Sequence, residues 1–339
     1  MQAAGGLDKQ FNKAMLWYWG RRGVALALVL LIFYSYWQNP QLTTGMLNAM
    51  LRQSTPLVLG ALCGMLGERS GIINIGIEGQ MLLAAFVGFM VAATTRSLIA
   101  GVVAGVLMGA ILGLFLAFMA VSLKMDQIIG GTVINILALG LTSFFYQANQ
   151  TIPGKLPIIS LGPLADIPLI GSVLFRNPPI TYLALILVFV VHYALFYTRW
   201  GLRTRAVGEH PRAADTVGIN VYRLRYMNVI IGGAMAGVAG VFLSLESVGS
   251  FERAMTNGRG FVALAVMIFG RWTPLGAWGA ALLFGFANAL QTQLQFGGSL
   301  QIPYQFIGML PYVLTIVVLA GFVGRSRPPA AVGQPYETE

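Results

Sequence analysis

Nine to ten apolar segments follow one another along the 339-residue chain, and charge is almost confined to the stretches between them. They run at about 23–38, 54–68, 78–95, 98–123, 127–147, 179–198, 227–246, 260–272, 275–295 and 304–323. A bilayer core about 30 Å thick is crossed by roughly 20 apolar helical residues, so the pattern predicts an all-α polytopic membrane protein. Two of the segments, 54–68 and 260–272, are short, with Gly or polar residues at their ends. Only 9% of the residues are charged, where a soluble domain carries about a quarter. That deficit excludes soluble enzymes, disordered regulators and disulfide-built secreted modules. Cys63 is the single cysteine and lies in an apolar run, where it reads as a small packing residue.

Net charge is +10. The cations fall between apolar runs, so the positive-inside rule accounts for them, and nucleic acid is not an expected partner. With ten spans and a cytoplasmic N-terminus, Arg52, Arg96, Lys155, Arg176, Arg253 and Arg259 lie outside, and the other fifteen of the 21 Lys and Arg lie inside. Both termini are then cytoplasmic. Lys13, Arg21 and Arg22 precede the first span, and no small-x-small cleavage pattern follows it, so it reads as uncleaved.

The whole chain, 1–339, reads as one transmembrane domain. Residues 1–22 form a cytoplasmic N-terminus and 148–179 an extracytoplasmic loop, which six prolines should hold as an ordered cap. A cytoplasmic loop spans 199–226, and the tail at 325–339 is expected to be disordered. Gly101, Gly105, Gly109 and Gly113 recur every fourth residue, and Gly233, Gly237 and Gly240 behave similarly. Such strips let another backbone approach closely.

Three stretches bear on function. Gly67 to Gln80 sets Glu68, Arg69, Asn74, Glu78 and Gln80 among four glycines between apolar runs. Polar groups at membrane depth must face protein or a water-filled cavity, and glycine lets the backbone leave helical geometry there. Asn74 and Glu78 are therefore expected in a broken helix beside a solute pathway. Glu68 and Arg69 are expected at the water interface. Asn257 to Gly270, followed by Arg271, Trp272, Thr273 and Pro274, is a second Gly-opened short segment. One such segment in each half is the pattern of repeat-built transporters with a central site.

In the third stretch, Gly201 to Asn220, Pro211 should open a short helix through Ala213, Ala214 and Asp215 that Gly218 ends. Spacing alone leaves two readings for it, a docking element for a partner protein or a basic loop held near anionic lipid. His192 and His210 lack partners at metal spacing, and no G-x-x-x-x-G-K-[ST] sequence is present. No catalytic residue, metal or cofactor is expected. Glu246 reads as an interfacial carboxylate, with a proton relay as the other possibility.

Gly67–Gln80, Gly208–Ile219 and Gly258–Val266 together resemble the permease subunits of bacterial ABC importers, in the simple-sugar and nucleoside branch related to ribose and branched-chain amino-acid permeases. The resemblance runs from about Pro56 to Phe322. It implies an inner-membrane permease paired with a similar or identical subunit, a separate ATPase below and an extracytoplasmic solute-binding protein above. ATP would be hydrolysed on the partner, with transport by alternating access. The ATPase-coupling loop maps onto Gly208, Glu209, Pro211, Ala213, Ala214, Asp215 and Gly218. Asn74, Glu78, Gln80, Asn135, Arg259 and Phe261 are the pathway candidates, because amides and aromatic rings suit nucleosides or sugars. The competing reading is an ion-coupled secondary transporter, which would need a free intramembrane carboxylate at Glu78. A non-transporting scaffold would gain nothing from two broken segments.

Overall fold

The computed structural model describes residues 30–147, 150–296, 306, 308, 309, 313 and 327–337. The N-terminus at 1–22, most of the expected span at 304–323 and parts of the first span and the tail lie outside the described residues. The described chain is almost wholly helical. A segment at 30–38, α1, leads into α2 (Pro40–Arg69), α3 (Ile77–Thr95), α4 (Leu98–Ala117) and α5 (Gln127–Phe144). Beyond the 148–179 loop come α7 (Pro179–Tyr197), α8 (Arg199–Glu209), α9 (Pro211–Thr216), α10 (Val221–Val241), α11 (Arg259–Phe269) and α12 (Pro274–Phe296). A short α6 (Ile170–Leu174) lies within that loop. Turns of π-helix extend α4 to Ser122 and α10 to Val248. Five of these helices are long and apolar enough to cross a membrane.

Element boundaries follow local chemistry. Asn39 caps α2 by accepting the Leu42 N–H, with Pro40 in the first turn. The expected short span at 54–68 is the second half of this 30-residue helix. Pro56 lies inside it and lacks an N–H, while the Ser54 and Thr55 hydroxyls donate to the Leu51 carbonyl beside the break. Ser97 and Asp126 cap α4 and α5 in the same manner as Asn39.

Helix α10 is the hub. A Cβ added at Gly232 would meet the Cys63 carbonyl of α2 at 2.8 Å, and one at Gly240 the Met81 carbonyl of α3 at 2.2 Å. On α4, Gly109 faces the Gly233 carbonyl and the Gly237 backbone, while Gly105 faces the Ala84 carbonyl. The two strips read from sequence are thus the meeting faces of α4 and α10, with Gly101 set against Gly88 of α3.

The 148–179 loop is ordered where described. Its β1 (Ile159–Ser160) pairs antiparallel with β2 (Arg176–Asn177), in the register Ile159 to Asn177. Lys155 reaches the Ser247 carbonyl. Glu246 is buried rather than exposed at an interface. Its carboxylate accepts the Ile180 and Thr181 N–H groups and the Thr181 hydroxyl, capping α7 from the π-turns of α10.

The glycine contacts yield a first expected outcome. Gly109→Leu should cost about 1–3 kcal/mol or more, because its Cβ would strike backbone at 2.3 Å. Gly140→Leu, where nothing lies within 4 Å, should be tolerated. Thermal unfolding in detergent, followed by size-exclusion, compares the two.

Candidate functional site

Both Gly-rich segments leave helical geometry, and side chains from neighbouring helices complete them. After Arg69 the chain turns at Gly71, whose φ of +92° suits glycine, runs non-helically through 72–74 and turns again at 75–76 before α3. Gly60, about 13 Å of helix rise from Arg69 along α2, is level with Ile77 and Ala263. The starts of α3 and α11 therefore lie deep in the bundle rather than at either end. Backbone groups in the non-helical stretch were expected to open onto a cavity, and α5 satisfies them instead. Gln127 accepts the Ile73 N–H, and Asn135 donates to the Ile75 carbonyl while accepting the Gly79 N–H at 2.7 Å.

The two broken segments meet at Glu78. One carboxylate oxygen accepts the Gly258 N–H at 2.8 Å and the other the Gly260 N–H at 2.6 Å. Glu78 thus caps the first turn of α11 from the first turn of α3, favourable for hydrogen bonding and for the helix dipole. Glu68 and Arg69 join the far ends of the same elements. The Trp272 indole donates to the buried Glu68 carboxylate, and Arg69 donates twice to the Trp272 carbonyl. They staple α2 to the turn after α11, beside Gly208.

The pathway candidates separate into three groups. Asn74 and Gln80 are fully buried, with Asn74 donating to Gln80 at 3.0 Å and to Cys63. Asn74 Oδ1 and Gln80 Nε2 have no partner among the described residues. Asn135 and Glu78 brace the broken segments. Arg259 alone lines open space, and it does so twice.

A cavity of about 300 Å³ lies between α2, α11 and α12, lined by Gln53, Asn257, Arg259, Asn288, Gln291 and Thr292 with Leu57, Val262, Phe284 and Gly308. A second, of about 450 Å³, shares Asn257 and Arg259 and is otherwise formed by the end of α10 and the 252–255 turn. Phe261 points outward and lines neither. Sequence reading missed Gln53, Asn288, Gln291 and Thr292, although 288, 291 and 292 share one face of an apolar helix. Asn257 and Ala254 carry positive φ, so the turn separating the two cavities is held in an uncommon backbone geometry.

At the other end of the bundle, the 199–226 loop is two helices joined at His210. Helix α9 runs as the sequence predicts, ended by Gly218 with φ +80°; α8 was not foreseen. Glu209, Ala213 and Gly218 are exposed, and Pro211 and Asp215 half-buried. Gly208 and Ala214 are buried. A Cβ at Gly208 would meet the Arg69 carbonyl at 2.3 Å, and Ala214 packs with Val207, Val221 and Tyr336. Val217, 73% exposed, is the prominent apolar residue on this surface.

A multi-pass helical membrane protein with two glycine-broken segments meeting inside the bundle is a transport permease by architecture. Residues 46–319 match the family described as branched-chain amino acid transport system / permease component, and the chain belongs to it. The chain is 41% identical over 318 residues to the guanosine ABC transporter permease protein NupQ of Bacillus subtilis, covering 87% of this chain and 97% of that one. It is 39% identical to the nucleoside ABC transporter permease protein NupC of Lactococcus lactis, covering 85% and 95%. To the putative glucose ABC transporter permease protein TsgC13 of Haloferax volcanii it is 37% identical, covering 87% and 98%. Each of these three organisms also has a second relative, at 26 or 27% identity.

Because both Glu78 oxygens are occupied by N–H groups, Glu78→Gln would set an amide N–H against a buried donor. The variant should lose about 1–3 kcal/mol of stability, read as a lowered thermal midpoint in detergent, and should lose uptake with it.

Proposed function

We propose that the chain is the permease subunit of an ABC importer in a bacterial inner membrane, carrying a neutral, hydrogen-bond-rich solute, a nucleoside first and a simple sugar second. The observation that carries this reading is the pair of cavities meeting at Asn257 and Arg259. The 300 Å³ cavity offers amides, a hydroxyl, a guanidinium and the Phe284 ring, and no carboxylate among the described residues. Amides donate and accept along the edge of a base or a sugar, and an aromatic ring packs against its face. The relatives' names point to the same solute classes. In the ion-coupled alternative Glu78 would titrate or hold an ion, and its oxygens are already committed to α11.

ATP is hydrolysed on a partner chain, a solute-binding protein delivers from outside, and the permease itself is not an enzyme. Both termini are cytoplasmic, membrane lipid surrounds the bundle, and nucleic acid is not a partner. The second permease subunit is a non-identical chain; the paired relatives at near 40% and near 26% in three organisms support a mixed pair over two copies. We assign the closed point of the pathway to the buried Asn74–Gln80 pair; Asn74 Oδ1 and Gln80 Nε2, without partners among the described residues, support this. In the inward-facing state those groups become available to solute or water. Alternating access then needs ATP to favour one conformation over the other.

Docking falls on the exposed face of α9, with Val217 as the apolar anchor and Glu209, Ala213 and Gly218 around it. Ala214 holds α9 in place from beneath rather than touching the partner. Val217→Asp should reduce co-purification of the ATPase at least tenfold while membrane insertion stays normal, a quantity read by pull-down from solubilised membranes. Replacing Asn288 and Gln291 together by Leu should raise the KM for nucleoside uptake about tenfold, from two lost hydrogen bonds, with ATPase association unchanged. Unaltered uptake kinetics in that variant would remove the 300 Å³ cavity from the pathway.

A further inference from the structure

The segment at 327–337, expected to be disordered, is laid across the α8–α9 end of the molecule and held there by bonds to five separate elements. The Ala331 N–H donates to the Gly208 carbonyl at 2.9 Å, and the Ala330 N–H to the Glu209 carboxylate at 3.2 Å. The Gly333 N–H donates to the Gly71 carbonyl at 3.1 Å. Tyr336 is buried among Val207, Ala214 and Val221, and its hydroxyl donates to Asp215 at 2.7 Å. Lys124 forms an exposed ion pair with Glu337 at 2.8 Å. One strap therefore touches the docking helix and the turn that begins the first broken segment.

Arg225, 1% exposed, ties the two together from below. Its Nε donates to the Ser70 carbonyl at 3.1 Å and its Nη1 to the Gln334 carbonyl at 3.1 Å, and its guanidinium lies over the Tyr336 ring. Its Nη2 has no partner among the described residues, so the guanidinium holds a donor in reserve beside Gly71. A planar fork with an unused donor can exchange one carbonyl for another without leaving its burial site. Burial, with the Asp215 carboxylate beside it, pushes the Tyr336 phenol up to about 12. The Tyr336 latch stays protonated throughout the physiological range and is no pH switch.

We propose that the 327–337 strap and Arg225 are positioning elements for coupling: they fix α9 to the Ser70–Gly71 turn, so that displacement of α9 reaches the segment bearing Asn74, Glu78 and Gln80. The proposal rests on the reading of α9 as the ATPase-docking helix. Between α9 and the strap lies a cleft of about 750 Å³ bordered by Glu209, Arg212, Gln334 and Tyr336, and the Tyr336–Asp215 bond joins the two sides. Gly208 also packs on the Arg69 carbonyl, so the strap is a second connection from this end of the molecule to the turn. Tyr336 and Arg225 touch no solute in this scheme and act through the turn.

The test uses the full assembly of permease pair, ATPase and binding protein in proteoliposomes, with ATP hydrolysis and solute uptake measured on the same preparation. Tyr336→Phe keeps the ring and removes only the bond to Asp215; Tyr336→Ala and removal of 328–339 go further. ATPase association should stay within about twofold, hydrolysis should persist, and solute carried per ATP should fall about threefold in the Phe variant and at least tenfold in the other two. An unchanged ratio in all three overturns the proposal. So does loss of association in Tyr336→Phe, which would make the strap part of the docking surface. Intact association in Val217→Asp instead overturns the docking reading and takes the strap's role with it. The two failures are therefore told apart by which variant shows them.

Discussion

Backbone that leaves helical geometry inside a lipid bilayer must find a partner for every N–H and C=O it frees, since no water replaces them. That constraint organises this protein around Glu78. Its carboxylate occupies the first turn of α3 and accepts two N–H groups from the first turn of α11, so the two broken segments complete one another. Gln127 and Asn135 do the same for the non-helical stretch before α3. Three side chains thus satisfy both openings, and at the far end Arg69 donates to the Trp272 carbonyl. The chain can then keep irregular backbone at depth, beside polar cavities, without leaving it exposed to hydrocarbon.

A hub of glycine contacts makes such precision attainable. α10 touches α2, α3 and α4 at backbone distance through Gly232, Gly240, Gly233 and Gly237, so the helices that carry the broken segments cannot slide independently. Between packed apolar helices in lipid there is little hydrophobic drive, and close van der Waals approach takes its place. The result is a rigid frame against which two elements remain adjustable: the 253–258 turn between the cavities, and the α9–strap assembly below. Both stand where side chains rather than glycine contacts make the connection.

Much of this was legible in the sequence, and for identifiable reasons. Apolar run length located five of the spans, four-residue glycine spacing located the α4–α10 face, and the Pro211-to-Gly218 pattern located α9. These signals are local and depend on spacing alone. What could not be read is long-range pairing. Glu78 bonds residues some 180 positions away, Arg69 bonds Trp272, and Tyr336 bonds Asp215. Nothing in the neighbourhood of Glu68 separates a stapling carboxylate from an interfacial one. The polar face at Asn288, Gln291 and Thr292 was readable in principle, because three polar residues at helical spacing interrupt an apolar segment. The tail was misread because its Pro- and Gly-containing composition matches that of disordered ends, whereas its order comes from carbonyls and N–H groups on Gly71, Gly208 and Arg225 that composition does not report.

The same long-range pairings divide labour between the ends of the molecule. At the cavity end, contacts are few and polar, and the turn bearing Asn257 is held in uncommon geometry, which suits a region that must change to admit solute. At the α9 end, Tyr336, Asp215 and Arg225 make a small packed and hydrogen-bonded unit that ties α9 and the strap to α10, through one apolar cluster of Val207, Ala214, Val221 and Tyr336. Between them runs the stretch from Ser70 to Gln80, two turns joined by a short non-helical run and ending in the first turn of α3, braced from α5 and capped into α11. The broken segment thus reaches from the turn beneath α9 to the polar interior, and its glycines are the reason it can.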